Sequence, residues 1–139
     1  MPHAWVEAVT RPYSPLDHLS IAVADLARGA AFYDAALAPL GIRRVKEVPG
    51  AVGYGTDRPF FWLHPRQRKG AVRPGIGLHI CFGAENRAAV DAFHRAAIAY
   101  GATDNGAPGL RAAYHPHYYG AFVIDPDGYK IEAVCHRPA

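Results

Sequence analysis

The sequence predicts an α+β fold in which two βαβββ modules build one curved mixed sheet with helices outside. Three observations predict it: an internal repeat, a period-two strand pattern opening each half, and a helical pattern directly after each opening strand. The repeat relates "LDHLSIAVADLARGAAFYDAALAPLG", residues 16 to 41, to "GLHICFGAENRAAVDAFHRAAIAYG", residues 77 to 101. With His18 set on His79, Phe32 falls on Phe93 at the same separation of 14 residues, and Gly41 and Gly101 follow at 23 and 22. So small a drift over that length is what a duplicated unit shows.

The opening strands follow from alternation. In "HLSIAV", Leu19, Ile21 and Val23 point to one side and His18, Ser20 and Ala22 to the other; "HICFGA" divides Ile80 and Phe82 from His79, Cys81 and Gly83 in the same way. The first helix starts at an Asp25 N-cap and carries Leu26, Ala30, Tyr33, Leu37 and Leu40 at helical spacing. The second presents Val90, Phe93 and Ala97 and stops at Gly101. Each helix is followed by short strands, ending in the hairpins "VGYGTDRPFFWL" and "AFVIDPDGYKIEAV". Pro126 and Gly128 fit a type I turn begun by Asp125. One domain is expected, with module 1 at about 15–70, module 2 at about 75–136 and an N-terminal arm at 1–14.

Composition narrows the function. The chain of 139 residues is 50% hydrophobic and 19% charged, an ordinary globular balance. Its formal charge of +3 is scattered, and "RQRKG" at 66 to 70 reads as a solvated loop, so no nucleic-acid partner is expected. A small anionic ligand is favoured over a cationic one. No apolar run approaches the ~20 residues of a membrane span, and the N-terminus lacks a signal-peptide pattern, so a cytoplasmic location is the default. Cys81 and Cys135 form no CxxC pair and read as two buried thiols.

Glu132 is the residue that composition does not explain. A carboxylate among Ile131, Ala133 and Val134 must be paired, exposed or bound to a metal. His18 and His79 occupy equivalent points of equivalent strands, on the side away from the apolar residues, and Glu132 also faces away from the apolar side of its strand. Two imidazoles and one carboxylate converging there make a facial site for one divalent ion, with Fe, Mn, Zn, Ni and Co all compatible. Taken singly, a strand histidine is more often structural and a strand glutamate more often exposed. In "GLRAAYHPHYYG", residues 109 to 120, Arg111 is a candidate anion binder, and His115, His117 and Tyr119 are candidate proton-transfer groups. A turn held by Pro116 with its tyrosines at the sheet edge is the plainer alternative. Tyr114, Trp62 and Tyr54 complete the expected substrate wall.

The opening H-x-x-I-x-V-x-D-L pattern from His18 and the closing "DPDGYKIE" resemble the vicinal oxygen chelate superfamily, which includes glyoxalase I, bleomycin-resistance proteins and extradiol dioxygenases. The resemblance covers about residues 15 to 136 and implies the same paired βαβββ fold. It implies His18, His79 and Glu132 as metal ligands. The fourth ligand of the glyoxalase I pattern falls on Trp62, which cannot coordinate, and His64 is the nearest substitute. The implied function is a metal-dependent enzyme acting on a substrate with vicinal oxygens, lyase or isomerase chemistry being favoured over dioxygenation. The alternative is a metal-free binding or drug-sequestering protein. Members of this superfamily are often dimers, and the arm "MPHAWVEAV" could serve that interface.

Overall fold

The computed structural model describes residues 14–70 and 72–139, so the N-terminal arm expected to serve an interface lies outside the described residues. Each half folds as a strand, a helix and three more strands. The first comprises β1 (Leu19–Val23), α1 (Leu26–Leu37) with a 3-10 turn at Ala38–Leu40, β2 (Arg43–Val48), β3 (Ala51–Gly55) and β4 (Pro59–Pro65). The second comprises β5 (His79–Gly83), α2 (Arg87–Ala99), β6 (Thr103–Leu110), β7 (Tyr119–Ile124) and β8 (Lys130–Cys135). The sheets have matching orders, β1-β4-β3-β2 and β5-β8-β7-β6. In each, the first and last strands run parallel and the others antiparallel. The expected curved surface is therefore two four-stranded sheets. Among the described residues, β1 and β5 each have one hydrogen-bonded neighbour and do not pair with each other.

The local signals act as their chemistry requires. Asp25 Oδ1 accepts from the Arg28 amide at 3.0 Å, and Asn86 Oδ1 caps α2 through the Ala89 amide at 2.8 Å. Gly41 and Gly101, the repeat's end markers, sit at φ 75° and 108°, where a side chain is strained. The Gly128 amide donates to the Asp125 carbonyl at 3.0 Å and closes the last turn.

One core joins the modules. Phe32, Tyr33, Leu37, Tyr54, Phe61 and Leu63 of the first half pack with Ile80, Phe82, Val90, Phe93 and Ile131 of the second. The Phe61 and Phe82 rings meet edge to face at 5.2 Å. The turn between β7 and β8 docks on the first module through polar bonds. The Tyr129 hydroxyl donates to the Ala22 carbonyl at 2.8 Å, and Asp127 accepts from the Ala24 amide at 3.2 Å. The Tyr33 hydroxyl donates to the buried Asp125 carboxylate at 2.5 Å. Burial raises the Asp125 pKa, while the Tyr33 bond and two backbone amides oppose that rise. Among the described residues, no helix is long and apolar enough to cross a membrane.

Candidate functional site

Strand β8 resolves the position of Glu132. Ile131, Ala133 and Cys135 point into the core and are wholly buried, so Glu132 lies on the opposite, concave face. Glu132 is nevertheless only 1% exposed, because a strap formed by residues 111–118 covers it. Both its oxygens are engaged. Oε1 lies 2.7 Å from His79 Nε2, and Oε2 accepts a short hydrogen bond from the Tyr118 hydroxyl. Burial first, and then this carboxylate, push the Tyr118 pKa up, so the phenol stays a protonated donor.

The surroundings are shaped to this arrangement. Cys81 sits directly across from Glu132, and desolvation and then the carboxylate push its thiol up to about 12. This corrects the reading of two buried thiols: Cys135 is buried, whereas residue 81 is open on the concave face. Phe122 pairs across β7 and β8 with Glu132, its ring centroid 5.8 Å from that of His79. A Cβ on Gly120 would stand 3.1 Å from Glu132 Oε2 and 3.1 Å from Tyr118 Cε1, so glycine leaves the space both groups need.

His18 is placed differently. It precedes β1, its side chain is 54% exposed, and its Nδ1 lies 2.7 Å from Asp17 Oδ2. Asp17 in turn meets Arg58 at 3.3 Å. A carboxylate on Nδ1 selects the tautomer that leaves Nε2 with its lone pair outward, the usual preparation of a ligating imidazole. Among the described residues, no three His, Cys, Asp or Glu side chains come together as a metal group. The structure thus brings His79 and Glu132 together and leaves His18 apart, because β1 and β5 are edges of separate sheets. The three residues fit a divalent ion in the kind of donor they supply, and within one chain they do not meet. His64 faces the same way as Trp62, with Nδ1 3.3 Å from the Pro65 carbonyl, and completes no such group among the described residues.

The register explains the absent fourth ligand. Ser20 lies against Trp62 as Cys81 lies against Glu132, so Trp62 does hold the position equivalent to Glu132. Its indole covers Gly53, where an added Cβ would come within 2.9 Å of the ring.

Several expected site residues are elsewhere. Tyr54 is a core residue with 0% exposure, its single hydroxyl proton shared between Ala30 O at 2.9 Å and Asp34 Oδ1 at 2.8 Å; strand alternation turns it away from the concave face. Tyr119 likewise faces the helices and donates to Asp91 at 2.6 Å, so the tyrosine that reaches Glu132 is its neighbour. Counting by twos back from Phe122 through Gly120 to Tyr118 would have found it. Arg111 donates to the Gly109 carbonyl at 2.9 Å and the Ala107 carbonyl at 2.8 Å and lies over Phe122 at 5.4 Å, so its fork is occupied by the chain itself. Tyr114 is 65% exposed and packs edge to face on Tyr118 at 4.8 Å. His115 Nε2 lies 2.7 Å from Nδ1 of His136, a residue sequence reasoning missed, and its Nδ1 accepts from the His117 amide at 3.0 Å. The exposed His117 therefore joins this group through its backbone. An apolar cavity of about 410 Å³ opens beside Cys81, lined by Leu16, Leu19, Phe60, Ile80 and Phe82 among others.

The family model described as Glyoxalase/Bleomycin resistance protein/Dioxygenase superfamily matches residues 15–133. A glyoxalase/bleomycin resistance protein from Albidiferax ferrireducens T118 is 32% identical, with 88% of this chain and 99% of that one covered at a TM-score of 0.79. Lactoylglutathione lyase from Agrobacterium tumefaciens shares 24% identity over 90% of this chain and 96% of its own, at a TM-score of 0.59. A V278E glyoxalase I mutant from Zea mays shares 23% identity at a TM-score of 0.69, with 88% of this chain covering 46% of the maize one. A search of curated proteins gave no match.

Proposed function

The chain belongs to the glyoxalase/bleomycin resistance protein/dioxygenase superfamily, and on that premise we propose that it is a metal-dependent enzyme acting on a small molecule with two neighbouring oxygens. The observation that carries the reading is the convergence of His79 Nε2 and Glu132 Oε1, 2.7 Å apart, at the edge of an open sheet. A buried carboxylate beside an imidazole suits a divalent cation in donor type. His18, its outward nitrogen prepared by Asp17, is the third ligand, and it comes from a second copy. The edges β1 and β5, each free on one side among the described residues, are the surfaces that would bring it there.

A divalent ion in this site would bind the substrate's two oxygens and stabilise the oxyanion or enolate formed between them. Lyase or isomerase chemistry is the narrower reading. Glu132 and His79 hold the site from one chain, and the strap over Glu132 keeps water from the carboxylate.

Metal analysis of protein purified without chelator tests this, with about one divalent ion per chain expected and none in Glu132→Ala. Mixing the inactive His18→Ala and Glu132→Ala variants tests the shared site, since a mixed dimer carries one intact ligand set. Recovery of metal and of turnover on 2-oxoaldehyde–thiol adducts is the expected result. Full occupancy surviving in Glu132→Ala would overturn the ligand set. Metal bound without recovery on mixing would overturn the second copy, and absence of metal after reconstitution would favour a sequestering protein.

A further inference from the structure

We propose that Tyr118 is a positioning residue that holds one oxygen of Glu132 and so leaves the carboxylate a single oxygen to offer a ligand. The proposal deepens the metal-centre reading and rests on it for the identity of that ligand.

Tyr118 donates to Oε2 alone, while Oε1 remains directed at His79. A carboxylate free at both oxygens can grip a cation with two atoms or rotate between modes. One pinned by a phenol offers one atom in one direction, and a coordination position stays open for substrate. The phenol is itself fixed. Tyr114, His115 and His136 press on its ring at centroid distances of 4.8, 5.5 and 5.3 Å. The strap that carries it is closed by backbone bonds, from the Arg111 amide to Tyr118 O at 2.7 Å and from the Tyr114 amide to Arg111 O at 2.9 Å. The bond between His115 and His136 ties that strap to the residue that follows β8, the strand bearing Glu132. Gly120 supplies the final requirement, because any side chain there meets both members of the pair. The strap thus acts on Glu132 through one hydroxyl.

Tyr118→Phe keeps the ring and removes the hydroxyl. In the metal-free protein the ring ¹⁵N signals of His79 should shift, since Glu132 is released to turn away from it. With Co(II) added, the visible d–d absorption should change and the ion should bind about 10- to 100-fold more weakly. Gly120→Ala, by displacing the same pair, should move the signals and the affinity the same way. A cooperative melt for both variants shows that the fold is kept. Unchanged His79 signals, Co(II) spectrum and affinity in Tyr118→Phe would overturn the proposal. A native protein that takes up no Co(II) would refute the metal reading instead, and the His79 signals would then decide on Tyr118 by themselves.

Discussion

The concave faces of the two modules share a backbone register and differ in what fills it. In the first, a large ring, Trp62, stands opposite a residue with no side chain, Gly53, and lies flat across it. In the second, a carboxylate, Glu132, stands opposite a large ring, Phe122. Bulk and vacancy have changed places across one pair of strands. One face is a closed wall, and the other holds a polar pair at its edge, with Glu132 covered and His79 part exposed. The hairpin turns differ as well. Asp57, in the turn of the first module, is exposed, and backbone amides and Thr56 hold its carboxyl below the usual range. Asp125, in the turn of the second, is buried against Tyr33 of the first module and held above that range by burial. A duplicated unit therefore uses one copy of the turn as a loop and the other as the joint between modules.

The joint should be the easiest part of this comparison to break. Asp125→Ala strands the Tyr33 hydroxyl and two backbone amides, and should cost on the order of 3 kcal/mol by urea unfolding. Asp57→Ala, which removes only exposed local bonds, should lower the midpoint far less. Next comes the wall: Gly53→Ala sets a Cβ 2.9 Å from both the indole and the Pro59 Cβ, and should cost about 1–3 kcal/mol. Adding Trp62→Ala should recover part of that loss, a coupling that independent sites would not show. A smaller effect is expected in pH dependence. The Asp125 pKa is raised on folding, so the folded state binds its proton more tightly than the unfolded one. Its contribution to stability should then fall as pH rises from the ordinary aspartate value through the raised one, and Asp125→Asn should flatten that slope. Smallest of all, Arg111→Ala removes two bonds to the β6 carbonyls of Gly109 and Ala107 and should cost about 1 kcal/mol, with no change in affinity for anionic ligands.

Much of this protein was written in its sequence because the responsible physics is local. Alternation in "HLSIAV" and "HICFGA" comes from the pleat of a strand, and the Asp25 cap and the glycines at 41 and 101 act within one helical turn. The repeat aligned Trp62 with Glu132, and the strand registers bear that alignment out. Alternation also marked Glu132 as turned away from the apolar face. The partners of that carboxylate were harder to read. Tyr118 and Tyr119 are adjacent and chemically identical, and only the register of β7 decides which one meets Glu132 and which one meets Asp91. Arg111 has the chemistry of an anion binder, yet the path of the strap gives its guanidinium to two carbonyls of the same chain.

His18 marks the boundary. Its residue type and position in the repeat are sequence facts, but its distance from His79 depends on how two sheets are joined, and the modules are joined through α1, the last turn and a common core. Side-chain type and strand face are thus determined by the sequence over a few residues. Which faces meet is decided by long-range packing, because the contacts that settle it lie far apart along the chain.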